Sequence, residues 1–241
     1  MNPALLAELA PHGALRAGIN MSNFLLVTGT DANGDPQGVS PDMAAAIAER
    51  LGVPLKLVPF ASPGLVADAA GTDAWDIALI GAEPARAAMI TFTAAYAEIE
   101  ATYLVPPGSS ITTLAEVDQP GLRIAVSGRS AYGLWLERNL RHAELVRADS
   151  LNDATELFLK GGLDALAGLR TGLLADIGKM PGARILEGQF TAVQQAVGCT
   201  RGKPLAAAFL YNFVEGAKSS GLVASLIAKH GAVGLSVAPP G

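Results

Sequence analysis

Trp75–Tyr96, WDIALIGAEPARAAMITFTAAY, is the stretch on which the fold turns. WDIALI is a short, continuous apolar run, the pattern of a strand buried on both faces of a parallel sheet. Gly81-Ala82 breaks it, Pro84 suits the first position of a helix, and Arg86 is aimed back toward the turn. Arginine at the end of a buried strand is suited to an anion, because its planar fork of donors matches a carboxylate bidentately.

Working outward, the same strand-and-helix alternation recurs on both sides. Leu15 to Asn20 reads as a strand, and Asp31-Ala-Asn-Gly34 as a tight turn. Ser40-Pro41-Asp42 reads as a capped helix start before MAAAIAERL. LKLVPF is the next strand and SPGLVADAAG a short helix, so the order up to Gly81 is β-α-β-α-β. Two extended pieces, near Thr91–Phe92 and Thr102–Val105, lead into PPGSS, where a second unit is expected to begin. That unit repeats the alternation with RIAV, SAYGLWLERNL, AELVRA, LNDATELFLKGG and LDALAGL. Alternation of this kind predicts parallel sheets covered by helices. After FTAVQQAVG, two amphipathic helices are expected, Pro204 to about Ser219 and Leu222 to His230, with no strand of their own.

Composition narrows the function. The 241 residues are 50% hydrophobic and carry a formal charge of −5, enough for two small α/β domains. The 17 basic and 22 acidic residues are interspersed, with no basic stripe to track a phosphate backbone, which argues against nucleic acid. Cys199 is the single cysteine and reads as a small buried apolar residue, while His12, His142 and His230 lack metal-ligand spacing. Neither a metal nor a cofactor is expected. The opening MNPALLAELAPHG lacks the basic and apolar regions of an export signal, and charged residues, Gly or Pro interrupt every segment before it reaches bilayer length. Membrane insertion is therefore not expected.

Together these motifs resemble the family-3 extracytoplasmic solute-binding proteins, the amino-acid-type receptors of ABC importers. The likeness rests on LRAGINMSNF, GVSPDMAAAIAERLG, WDIALIGAEPARAAMITFTAAY, RIAVSGRSAY, LDALAGL and KPLAAAFLYNFVEGAKSSG, in that order. The resemblance implies a two-lobed α/β clamshell of the type II periplasmic binding protein kind, each lobe a mostly parallel sheet flanked by helices. Residues 1–105 and 198–241 would form lobe 1 and residues 106–197 lobe 2, joined by crossover strands at TYLVP and QQAVG. It implies a small carboxylate ligand in the cleft, an ABC permease as partner and a periplasmic location, with a cytoplasmic sensory module as the alternative.

The resemblance also proposes site residues. Arg86, beside Gly81, matches the carboxylate-binding arginine; a solvated surface arginine is the rival reading. Gly128, Arg129 and Ser130 match a second anion-binding turn, with a plain helix cap as the rival for Ser130. Phe24 is an aromatic wall or a core residue, Asn20 a reader of the ligand's tail, and Tyr132 a pocket residue or, with Trp135, part of a buried helical face. LAGLRTG departs from the pattern: Leu169 and Arg170 stand where a carboxylate pairs with a ligand ammonium. Arg86, Arg129 and Arg170 are thus expected to favour an anion without an α-ammonium. Some relatives on this fold are cyclohexadienyl dehydratases, but no general acid, nucleophile–base pair or other catalytic set is evident here, and no catalytic residue is expected.

Overall fold

The computed structural model describes residues 2–241. Along the chain the elements are α1 (Pro3–Leu9), β1 (Leu15–Asn20), β2 (Gly29–Thr30), β3 (Pro36–Gln37), α2 (Val39–Leu51), β4 (Leu55–Phe60), α3 (Pro63–Asp68), β5 (Ile77–Gly81) and β6 (Ile90–Val105). Then come β7 (Arg123–Ser127), α4 (Ala131–Asn139), β8 (Glu144–Ala148), α5 (Leu151–Leu159), β9 (Ala165–Leu169), α6 (Arg170–Asp176), β10 (Arg184–Ile185) and β11 (Thr191–Thr200). The chain ends with α7 (Pro204–Ser219), α8 (Leu222–Lys229) and β12 (Leu235–Val237).

Two compact units result. One extends to Glu98 and resumes at Gln194; the other is Ile99–Val193. The divisions fall inside β6 and β11, the two strands by which the chain passes between them. In the first unit β1 pairs in parallel with β4 and β5, and β5 pairs antiparallel with β11. In the second, β7 pairs in parallel with β8 and β9, and β9 pairs antiparallel with β6. Each unit is thus a parallel sheet closed by one antiparallel strand, with helices packed against it, the α/β architecture that the alternating pattern predicts.

The apolar runs supply the cores. Ile77, Ala78, Leu79, Ile80 and Gly81 are all buried, as a strand covered on both faces requires. Beneath the second unit, Phe158, Leu166 and Leu173 pack with Leu104 and Ala125. Burial of a side chain such as Phe158 or Leu166 stabilises by about 1.5–3 kcal/mol each. Cys199 is buried in β11 opposite Ile77, and burial pushes its thiol up to about 11, leaving it unreactive.

Several local expectations are corrected. Ser40 does not cap α2: Gly38 stands at the cap at φ 145°, and a Cβ there would lie 2.3 Å from the Leu26 carbonyl, so only glycine fits. The Ser40 hydroxyl instead meets the Tyr96 hydroxyl at 3.0 Å in the core. The extended pieces around Thr91 and Thr102 are one 16-residue strand, β6, because no turn residue interrupts the run between them. The C-terminal region also carries a strand, β12, which pairs with β6. Asp76, at the foot of the decisive apolar run, is fully buried and takes a fork of hydrogen bonds from Arg16 at 2.8 and 3.0 Å. That pair lies 60 residues apart and had no local signature in the sequence.

Candidate functional site

In the first unit, β1 and β5 run side by side with Ile19 opposite Leu79, so Asn20 and Gly81 end neighbouring strands at one carboxyl edge. Ligands of open α/β sheets collect at such edges. Beyond Gly81 the chain does not enter an α-helix; it makes a turn through Pro84 and a single 3₁₀ turn, Arg86–Ala88. The helix start predicted at Pro84 is therefore absent. The amides of Arg86 and Ala87 are both taken by the Glu83 carbonyl, at 2.9 and 3.0 Å, so they cannot grip an anion.

Arg86 itself is only 5% exposed. The surface-arginine reading is excluded. Its Nη1 donates to the Gly81 carbonyl at 2.6 Å, folding the side chain back over the strand that precedes it. A guanidinium has five donors in a rigid fork, and this bond fixes the fork's plane at the sheet edge.

The loop after β1 presents Asn20 and Phe24. Asn20 is buried, and its Oδ1 accepts from the Ser22 backbone at 3.1 Å and from the Ser22 hydroxyl at 2.8 Å. Phe24 is 41% exposed, so it is not a core residue. An exposed aromatic beside a polar loop is a surface a ligand can cover.

The corresponding edge of the second unit is built differently. The Gly128 amide donates to the Ala148 carbonyl at 2.8 Å. Arg129 is exposed and sits at φ 61°, the left-handed region that non-glycine residues rarely occupy. Ser130 caps α4: its Oγ accepts from the Gly133 amide at 3.0 Å and donates to the Ser127 carbonyl at 2.7 Å. A Cβ at Gly133 would lie 2.7 Å from that same carbonyl, so glycine lets the first turn of α4 close onto the strand end. Tyr132 is buried, and burial raises its phenol well above the usual range, so it stays neutral. Trp135 tilts onto Phe190 with 5.4 Å between centroids, and Phe190 meets Tyr103 at 4.6 Å. Tyr132 is thus buried on α4, and Trp135 is half-buried against Phe190.

Arg170 opens α6 with its charge already matched. Its Nε donates to Glu100 Oε2 at 2.6 Å, and Nη2 donates to the Gly188 carbonyl. Leu169 before it is buried and apolar. Glu100 and Gly188 lie 70 and 18 residues from Arg170, which is why the sequence alone suggested a third anion-seeking arginine. Among the described residues no group of His, Cys, Asp and Glu is disposed to hold a metal ion, and no helix is long and apolar enough to cross a membrane.

The sequence profile of the bacterial extracellular solute-binding proteins, family 3, matches residues 15–232. Among solved structures, the chain resembles a binding component of an ABC transporter from Wolinella succinogenes, complexed with lysine, at 22% identity over 90% of this chain and 95% of that one, with a TM-score of 0.75. It also resembles the amino acid ABC transporter substrate-binding protein AbpA of Streptococcus pneumoniae, bound to L-arginine, at 18% identity over 92% and 96%, with a TM-score of 0.73. A third is an ancestral amino acid-binding protein described as a precursor of cyclohexadienyl dehydratase, at 23% identity over 93% and 98%, with a TM-score of 0.72. No protein with a curated description matches.

Proposed function

The chain belongs to the bacterial extracellular solute-binding proteins of family 3, and from that premise we propose that it delivers a small carboxylate-bearing solute to an ABC importer without altering it. The observation that carries this reading is Arg86, buried to 5% exposure and pinned by the Gly81 carbonyl at the carboxyl edge of β1 and β5. Residues at the ends of parallel strands are where α/β sheets meet ligands, and a fixed guanidinium is the side chain best matched to a carboxylate. The ABC permease and a location outside the cytoplasmic membrane follow from family membership and are part of the proposal.

The solute need not carry an α-ammonium. Leu169 is buried and apolar, and Arg170 is paired with Glu100, so β9 itself ends in no acidic side chain for a cation. The Wolinella and Streptococcus proteins are described with lysine and L-arginine; for this chain the reading favours organic acids or amino-acid-like anions. Binding rather than turnover follows from family membership and is part of the proposal.

A thermal-shift and calorimetry panel of organic acids and amino acids on the whole chain tests this. A carboxylate at about 100 times its dissociation constant should stabilise by about 2.7 kcal/mol. Arg86→Lys should weaken that ligand at least tenfold, since an ammonium cannot replace the fork. Tight lysine or histidine binding with none for organic acids would refute the anion reading, and consumption of the ligand during incubation would refute binding without turnover.

A further inference from the structure

The loop that follows β1 holds two asparagines whose hydrogen bonding is half complete. Asn20 and Asn23 are 9% and 7% exposed. Asn20 Oδ1 receives the Ser22 amide and hydroxyl, and Asn23 Oδ1 receives the Leu25 amide at 3.2 Å. A backbone N–H can only donate, so the side-chain atom facing it must be the amide oxygen. Both amides are therefore fixed in orientation, with each oxygen used and each nitrogen directed away from it. Neither nitrogen donates to any protein group among the described residues, and neither is sealed from solvent.

A polar side chain this deeply buried normally finds partners for its donors. Here the chain supplies four N–H bonds and withholds the matching acceptors. We propose that these amide nitrogens recognise an oxygen acceptor on the ligand, so the solute carries, besides the carboxylate taken by Arg86, a second carboxylate or carboxamide. This rests on the carboxylate reading above. Asn20 ends β1, beside the strand whose last residue holds Arg86, so both groups belong to the same sheet edge. A cationic tail is disfavoured by the same arrangement: ammonium and guanidinium groups need acceptors, and Asn20 Oδ1 already accepts two bonds while Asn23 Oδ1 accepts one. Asn23 thus becomes a specificity residue alongside Asn20, although nothing in the sequence singled it out.

Substitution by aspartate gives a clean test, because an aspartate oxygen keeps the bonds to Ser22 and Leu25 while the donor becomes an acceptor. Serine at the same positions controls for the added charge. The probes are malonate, succinate and glutarate with their half-amides, against propionate, butyrate and valerate, titrated calorimetrically into the whole chain. The best acceptor-tailed acid should bind at least tenfold more tightly than the monocarboxylate of equal length. Asn20→Asp, Asn20→Ser, Asn23→Asp and Asn23→Ser should each cut that ratio at least fivefold, with circular dichroism unchanged. Equal binding of the two series, or a ratio unmoved by the substitutions, overturns the tail assignment while carboxylate binding itself stands. Tighter binding of lysine or arginine overturns it as well. Failure of every acid to bind overturns the carboxylate reading and this inference together.

Discussion

The turn after β5 and the turn after β7 are written alike, a buried strand followed by a glycine and then an arginine, but the two arginines are held in opposite ways. Arg86 is buried and its fork is tied to the carbonyl of the strand it follows. Arg129 is exposed on a left-handed residue, and the hydroxyl beside it, Ser130, is consumed by its own helix. The difference lies in what the chain does next. The 3₁₀ turn Arg86–Ala88 carries no side-chain cap, and its arginine folds back on the strand. A nine-residue helix must satisfy its first amides, and the nearest polar groups are recruited to do so. Residues that look equally suited to an anion are thus separated by the local needs of the backbone.

The largest expected effect sets Arg86 against Ser130. Arg86→Ala should weaken carboxylate binding about a hundredfold or more, about 2.7 kcal/mol, in line with truncating one partner of a buried charged contact. Ser130→Ala should weaken it less than tenfold yet lower stability by about 1 kcal/mol, the usual cost of a lost N-cap. At this chain length that is a fall of roughly 2–4 °C in Tm. Paired calorimetry and melting curves decide. If Ser130→Ala abolishes binding with stability intact, its hydroxyl belongs to the ligand and the contrast between the turns collapses.

Most of the fold was legible because it rests on local patterns. The continuous run of Ile77–Gly81 and the helix signals at Ser130, Ser150 and Pro204 are read within a few residues of each other. What was not legible depends on partners distant in sequence. Ser40 looked like a cap until Tyr96 claimed its hydroxyl, 56 residues away. Arg170 looked anion-seeking until Glu100 appeared beside it. At the candidate site, Arg86 and Asn20 stood out through motif position, but Asn23 did not, since its significance lies in a donor left over after every bond is counted.

A smaller effect sharpens the contrast from the other side. Arg129 at φ 61° bears a conformational cost that glycine would not, about 1–2 kcal/mol, against about 0.4–1 kcal/mol for the extra freedom of glycine in the unfolded chain. Arg129→Gly should therefore raise Tm by a degree or two while reducing carboxylate affinity threefold to tenfold. A gain in stability with affinity unchanged would remove Arg129 from the site and leave Arg86 as the sole anion anchor among the arginines.

The smallest effect compares the carboxylates that brace each unit. Burial pushes the Asp42 carboxyl up, but hydrogen bonds and charge from Lys229 and His230, both at 2.7 Å, outweigh it and hold the group below its ordinary 3.8. Burial likewise pushes Asp118 up, and the amides of Arg141, His142 and Ala143 outweigh it. A carboxyl depressed on folding contributes stability above its unfolded value, and that contribution is lost as pH falls through the lower folded value. Both braces should therefore hold at neutral pH and fail in acid below about pH 4. They part in salt, because ions screen an exposed cation but do not displace a backbone amide. Lys229 is 63% exposed, so Asp42→Asn should cost less than about 1 kcal/mol at pH 7 in low salt. Urea melts should show that cost shrinking at high ionic strength, while the cost of Asp118→Asn persists. A salt-insensitive Asp42 would mean that its bond to the His230 ring, rather than the lysine charge, holds α2 to α8.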